Sequence, residues 1–306
     1  MPGFAPGALP GARDRRSGGV RDASLGAGAR AVPFVGSKRR TYPLLAAAGD
    51  IADDDRDAEK TATLLDRLLP DVVLTLGDMA YEEGTRDDYR AYYEPTWGRY
   101  KAITRPTPGN HEYLTPGAAG YFEYFGAAAG NPTKGYYSFD VGRWHIVALN
   151  STCSAVGGCE RGSPQERWLR RDLKLHPAIC TLAFWHHPRF TSGKYANDAT
   201  YQPFWRALYE YGADVVLNGH DHNYQRYAPQ NARGQRDVQR GIRQFVVGTG
   251  GKNTKPVDPP PIANREVADD STFGVLALTL RPTSFAWRFV PAGGGSFVDA
   301  GSGRCH

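Results

Sequence analysis

Five short stretches of this 306-residue chain carry the side chains best suited to acid–base or metal chemistry. In order they are Gly49-Asp50, Gly77-Asp78-Met79-Ala80-Tyr81, Gly109-Asn110-His111-Glu112, His186-His187-Pro188 and Gly219-His220-Asp221-His222. Singly, each has an ordinary explanation: an Asp after a strand forms a turn or caps a helix, a lone His hydrogen-bonds in a core, and Gly-Asn-His makes a turn. Together they form a mixed set of carboxylate, imidazole and amide-oxygen donors, which suits two borderline or hard cations such as Fe, Zn or Mn. Two such ions, about 3.5–4 Å apart, need an anion between them, so one carboxylate is expected to bridge. Glycines beside the donors let the backbone turn tightly and leave room for an anionic substrate.

These donors need a frame that brings them together. An apolar run over residues 43–48 predicts a buried strand ending at Gly49-Asp50. A helix is expected over 56–69, with Ala58, Ala62, Leu65 and Leu69 on one face. A second strand over 71–76 ends at Gly77-Asp78, so the three form a βαβ unit with parallel strands. Strands over 136–141 and 144–150 make a hairpin around Gly142-Arg143. Ser163-Pro164-Gln165-Glu166 opens a helix with an N-cap, a proline at the first position and a capping-box glutamate. A strand over 181–185 ends at His186, a helix follows over 200–211, and a strand over 214–217 ends at Asn218-Gly219-His220. The C-terminal third, with strands over 244–247, 273–280 and 284–290, reads as mostly antiparallel. Asp50, Asp78, His186 and His220 thus all terminate strands. In open α/β sheets ligands gather beyond the carboxyl ends of strands, so these four should converge.

The ordered series resembles the calcineurin-like metallophosphoesterases, and within them the purple acid phosphatase branch. Most of the superfamily has Asp-x-His at its first motif, whereas this chain has Asp50-Ile51-Ala52. The purple branch uses a tyrosinate three residues after the bridging Asp, and Asp78-Met79-Ala80-Tyr81 matches it. The resemblance implies an α/β fold, a four-layer αββα sandwich with two mixed β-sheets. It implies that Asp50, Asp78, Tyr81 and His222 bind Fe(III), a hard ion suited to a phenolate. Asp78 as bridge, Asn110, His186 and His220 would bind a divalent ion (Fe, Zn or Mn). Because the family pattern is His-x-Pro, His186 is the ligand, and His187 either supports the ligands, faces substrate or simply packs. His111 would face the phosphate without binding metal. Plant members carry a His pair where this chain has Tyr195 and Ala196, so substrate recognition does not transfer there, and Tyr195 is an alternative proton donor. The activity implied is hydrolysis of small-molecule phosphate monoesters to alcohol and inorganic phosphate by a metal-activated hydroxide. A phosphodiesterase on the same scaffold and a non-catalytic metal- or phosphate-binding protein are the alternatives.

Charge argues against a nucleic-acid partner. Residues 1–40 hold eight Lys/Arg against two Asp/Glu, so of the chain's net +5 the remaining 266 residues contribute −1. That stretch also has eight Gly, seven Ala and four Pro, and reads as a disordered basic leader, without the apolar segment of a secretory signal. Residues 41–306 are expected to form a single catalytic domain, and no run is long enough to span a membrane. The leader is too short and too polar to supply the N-terminal sandwich domain of plant members. Cys153 and Cys159 flank a Ser-Ala-Val-Gly-Gly loop suited to a local disulfide, with Cys180 and Cys305 left as a second pair or as free thiols. An even cysteine count and the resemblance place the protein outside the cytoplasm, secreted or extracytoplasmic.

Overall fold

Two five-residue apolar runs form β1 (Leu44–Ala48) and β2 (Val72–Leu76), and they pair in parallel. Both are buried on their two faces, which is why neither shows apolar–polar alternation. The helix Asp57–Leu68 connects them, burying Ala58, Ala62 and Leu65. The computed structural model describes residues 40–194, 198–257 and 262–306. The expected leader, Arg40 aside, and Tyr195 lie outside them.

The other strands, in chain order, are β3 (Thr104–Thr107), β4 (Tyr137–Val141), β5 (Trp144–Ala148), β6 (Cys180–Phe184) and β7 (Val215–Asn218). They continue with β8 (Tyr224–Tyr227), β9 (Arg243–Val247), β10 (Arg265–Asp269), β11 (Gly274–Arg281), β12 (Ser284–Pro291) and β13 (Ala300–Arg304). One sheet runs β13-β12-β11-β1-β2-β3 and the other β10-β8-β9-β7-β6-β5-β4. Both are mixed: β1-β2-β3 and β5-β6-β7-β9 are parallel, and the outer strands join them antiparallel. β9 therefore departs from the expected antiparallel C-terminal set, since its inner neighbour is the parallel β7.

Side-chain alternation in the second sheet separates two cores. Ile146, Leu182, Leu217 and Phe245 enter a core shared with Val73, Leu74, Leu276 and Leu278 of the first sheet. Val147, Ala183, Val216 and Val246 enter another, under Leu169 and Leu173 of the helix Pro164–Leu175 and Phe204 and Leu208 of the helix Gln202–Glu210. The helix Asp57–Leu68 covers the outer face of the first sheet, so the layers run helix, sheet, sheet, helix. This is the four-layer αββα arrangement expected for an α/β chain of this kind. The helix at Pro164 begins at Ser163, whose hydroxyl accepts from the Glu166 amide at 3.3 Å. Glu166 does not close the expected capping box; its carboxylate accepts from the Gly162 amide at 3.0 Å.

Both cysteine pairs are disulfides. Cys153–Cys159 closes the loop after β5, and Cys180–Cys305 ties the start of β6 to the residue after β13, joining the two sheets. Among the described residues no helix is long and apolar enough to cross a membrane.

Candidate metal centre

Asp50, Asp78, His186 and His220 each stand two residues past the end of a parallel strand: β1, β2, β6 and β7. The two sheets thus deliver four donors to one edge of the sandwich. Turning there costs backbone strain. Asp50, Asp78 and His220 have φ of 59°, 50° and 72°, in the left-handed region, where a non-glycine residue costs roughly 1–3 kcal/mol. The neighbours must be small: a Cβ on Gly109 would stand 2.1 Å from Asp78 Oδ1, and one on Gly77 2.5 Å from His186 Nδ1.

The loops after β1 and β2 run on as a zipped pair. Asp50, Ile51 and Ala52 amides donate to the carbonyls of Gly77, Asp78 and Met79 at 3.0, 2.9 and 3.1 Å, and the Tyr81 amide donates back to Ala52 at 2.9 Å. This brings the Tyr81 hydroxyl 3.0 Å from Asp50 Oδ1, 3.4 Å from Asp78 Oδ2 and 3.4 Å from His222 Nε2. On the other side of Asp78, His186 Nε2 lies 3.0 Å from Asp78 Oδ2, 3.2 Å from Asn110 Oδ1 and 3.1 Å from His220 Nδ1. Asp78 Oδ2 belongs to both groups. All seven expected ligands are therefore brought together, in two clusters sharing the carboxylate expected to bridge.

Hydrogen bonds fix which ring nitrogen faces each cluster. His186 Nδ1 lies 2.8 Å from the Leu76 carbonyl and must donate to it, so Nε2 is the nitrogen turned inward. His222 Nδ1 lies 2.5 Å from Asn253 Oδ1, which turns its Nε2 toward Asp50 at 3.2 Å. Glu112 accepts from the amides of Gly109, Asp78 and Met79 at 2.6, 2.9 and 2.8 Å, holding the second and third motifs together. Such outer partners orient ligands and raise their basicity. Asn253 and Glu112 were not assigned these roles from sequence. No local pattern marks Asn253, but an acidic residue inside the Gly-Asn-His stretch was a signal for Glu112.

The electrostatics follow from packing anionic groups out of water. Burial works to raise the Asp50 and Asp78 carboxyls, but the imidazoles of His222 and His186 outweigh it and hold both below the usual range. Burial lowers His186, yet the Asp78 and Asp50 carboxylates push it up to about 9. Burial, then Asp50 and Asp78, push the Tyr81 phenol well above its ordinary value. One phenol proton faces three acceptors around Tyr81, and lone pairs of Asp78, Asn110 and His220 crowd His186 Nε2. Protons alone satisfy this poorly, and a cation in each cluster would satisfy it completely.

His111 lies at the rim. Its amide donates to Asp78 Oδ1 at 2.8 Å and its Nδ1 contacts the Glu82 carbonyl at 2.5 Å, leaving Nε2 facing Asp78 Oδ2 at 4.0 Å. His187 is only partly exposed. Its Nδ1 lies 2.8 Å from Ser151 Oγ, and its ring packs on His220 with centroids 4.2 Å apart and stacks on Tyr201. Burial, reinforced by His186, lowers it to about 3, so it is neutral beside the cluster. Asp221 turns away, taking the Thr191 hydroxyl.

The sequence profile described as calcineurin-like phosphoesterase matches residues 43–224, and the chain belongs to that family. Within it the chain resembles purple acid phosphatases. Purple acid phosphatase 15 of Arabidopsis thaliana is 28% identical over 176 residues, covering 54% of this chain and 30% of that protein. The purple acid phosphatase PPD1 from yellow lupin (Lupinus luteus) seeds superposes with a TM-score of 0.72 at 18% identity, over 86% of this chain and 54% of that one. GAP50, the anchor in the inner membrane complex of Plasmodium, shares the fold at a TM-score of 0.64 and 11% identity, over 86% and 89% of the chains. The chain thus spans under a third of the curated plant relative and about half of the lupin chain.

Proposed function

We propose that this protein hydrolyses phosphate monoesters to alcohol and inorganic phosphate at a two-metal centre of the purple acid phosphatase type. The supporting observation is the pair of lone-pair clusters sharing Asp78 Oδ2, each with more acceptors than protons. Asp50, Asp78, Tyr81 and His222 would hold Fe(III); Asp78, Asn110, His186 and His220 would hold Fe, Zn or Mn as the divalent ion. When bound, the two ions supply Lewis acidity toward phosphoryl oxygens and a water of lowered pKa. Asp78 places the two sites side by side. His111, held through Nδ1 by Glu82, presents Nε2 at the rim, where it can hand a proton to a leaving alkoxide. His187 backs the His220 ring. Both disulfides support a secreted or extracytoplasmic location.

The fold also serves a protein described as an anchor, so fold alone does not make a catalyst. The complete donor set favours the enzyme. Metal analysis with the visible spectrum tests the proposal. Close to two metals per chain are expected, at least one of them iron, with a tyrosinate charge-transfer band that Tyr81→Phe bleaches. A colourless, fully active zinc or manganese protein would remove the ferric assignment. Absence of turnover on both aryl phosphate and bis-aryl phosphate by the loaded protein would remove the enzyme, and turnover of the diester alone would make it a phosphodiesterase.

A further inference from the structure

We propose that His145, Asp172 and His176 form a zinc site, separate from the candidate centre and independent of the two-metal reading. His145 is the second residue of β5, and its register partner is Thr181, five residues before His186 in the chain. At about 3.3 Å per residue this sets it about 16 Å from His186, toward the opposite end of the sheet. Asp172 and His176 lie one turn apart at the end of the helix Pro164–Leu175, and His176 is the residue that caps it. Asp172 Oδ2 stands 2.8 Å from His145 Nε2, and Asp172 Oδ1 stands 3.2 Å from His176 Nδ1. One ring nitrogen of each histidine and one Asp172 oxygen all lie within 4.8 Å of one another.

Three features separate this group from an ordinary ion pair. The first is the second imidazole: a pair needs one ring and one carboxylate, whereas here two rings, from β5 and from the helix end, face the same carboxylate. The second is the partner behind His145. Its Nδ1 lies 2.9 Å from Asp140 Oδ1 on β4, the carboxylate–histidine arrangement that orients a metal-ligating ring through its other nitrogen. Ser138 Oγ, donating to Asp172 Oδ1 at 2.8 Å, orients the carboxylate in the same way. The third is access. His145 and Asp172 are buried, but the His176 side chain is 51% exposed, and a recess of about 450 Å³ lined by Asp140, Arg143, His145 and His176 opens onto the group.

Two imidazoles and a carboxylate are a zinc donor set, with water as the fourth ligand. Tetrahedral ligands about 2.05 Å from zinc stand about 3.3 Å apart, which is already the spacing of the His176 pair. The His145 pair, now sharing a proton, would open by about half an ångström. The two rings lie nearly parallel, with centroids 5.1 Å apart at 22°, so the exposed His176 ring is the one that must tilt. Bound zinc would tie the β4–β5 hairpin to the helix end. With three protein ligands, one of them at the surface, the site fills from free zinc and empties on dialysis, so it does not add to the metals that purify with the chain.

The test adds zinc to the full chain as purified and to its His176→Ala and Asp140→Ala variants. Bound zinc is counted by equilibrium dialysis and Tm is followed with and without the ion. Both side chains are largely exposed, so both variants should fold, which circular dichroism checks. All three proteins share the candidate centre, so zinc exchanged there cancels in the comparison. The wild type is expected to bind one zinc per chain more than His176→Ala, and added zinc should raise its Tm but not that of the variant. Asp140→Ala should keep the site with an affinity roughly 10- to 100-fold weaker, the usual cost of losing an outer partner. Equal zinc counts and equal Tm shifts in wild type and His176→Ala would overturn the proposal and leave the group a hydrogen-bonded lock. Unchanged zinc affinity in Asp140→Ala would overturn it too, by showing that the ion is not held through His145.

Discussion

Glu112 touches no donor side chain of the cluster, yet it fixes the backbone beneath two of them. Its carboxylate takes three amides and the Tyr89 hydroxyl, the last at 3.2 Å, so Glu112→Gln would turn an N–H onto a donor. A buried donor left unpaired costs roughly 1–3 kcal/mol. Thermal unfolding should show that loss, and metal content should fall because Asp78 is no longer held. A variant with wild-type Tm and full metal would show the four bonds to be dispensable. His111 is the complementary case, a group at the rim with Nε2 toward the site. His111→Ala should keep both metals and lose about 10²–10⁴-fold in rate on alkyl phosphates, less on aryl phosphates, whose leaving groups need less protonation. Equal losses on both would mean that it only positions phosphate, and Tyr195→Phe compares the other candidate donor. The donors themselves were readable because metal chemistry restricts residue type and each sat at a strand end. Asn253 and Ser151 were not, because their roles depend on contacts made across the fold, 31 and 36 residues away.

Among elements, the buried parallel strands were legible from their apolar runs and the hairpin from its alternation. β3, β8, β10 and β13 were not. Tyr-Gln-Arg-Tyr and Ala-Gly-Ser-Gly-Arg have no usable period, and pairing with an existing sheet edge supplies what local preference lacks. The helix Pro164–Leu175 carries a polar lock that periodicity cannot show. Asp172 reaches back to β5, where His145 Nε2 lies 2.8 Å from its Oδ2, while His145 Nδ1 meets Asp140 of β4 at 2.9 Å. Burial opposes charging His145, but the two carboxylates prevail and raise it above its ordinary 6.5. Burial likewise works to raise Asp172, and the His145 bond wins, holding it below 3.8. The His145 contribution is complete below 6.5 and lost as pH rises through its raised value; that of Asp172 is complete above 3.8 and lost as pH falls. The lock is therefore strongest between those two limits. His145→Gln should lower Tm most in that window and progressively less in alkaline buffer. A deficit constant with pH would mean that shape, not charge, makes the lock.

At the scale of the whole molecule, the Cys180–Cys305 bridge closes a loop with a sequence separation of 125, against 6 for Cys153–Cys159. Chain entropy assigns roughly 5 kcal/mol to the long loop and roughly 2 to the short one. Cys305→Ser should therefore lower Tm well beyond Cys159→Ser, and equal drops would show that the long bridge adds little constraint. The bridge grips β6 at its amino end, while His186 stands past the carboxyl end, so weakening it should leave metal content intact at low temperature. The zipped loops after β1 and β2 have a consequence of another kind, for the order in which the ions come and go. Asp50, Asp78 and Tyr81 belong to one backbone unit zipped by four amide–carbonyl bonds, whereas the segments of His186 and His220 meet through the Gly219 amide on the His186 carbonyl and Asn110 comes from a third. A chelator can loosen that second set one segment at a time, while the first must give way as a block. The ion on the Tyr81 side should consequently load first and leave last. Timed chelation would show a half-occupied protein that keeps its colour while activity is lost, and re-adding divalent ion alone would restore turnover.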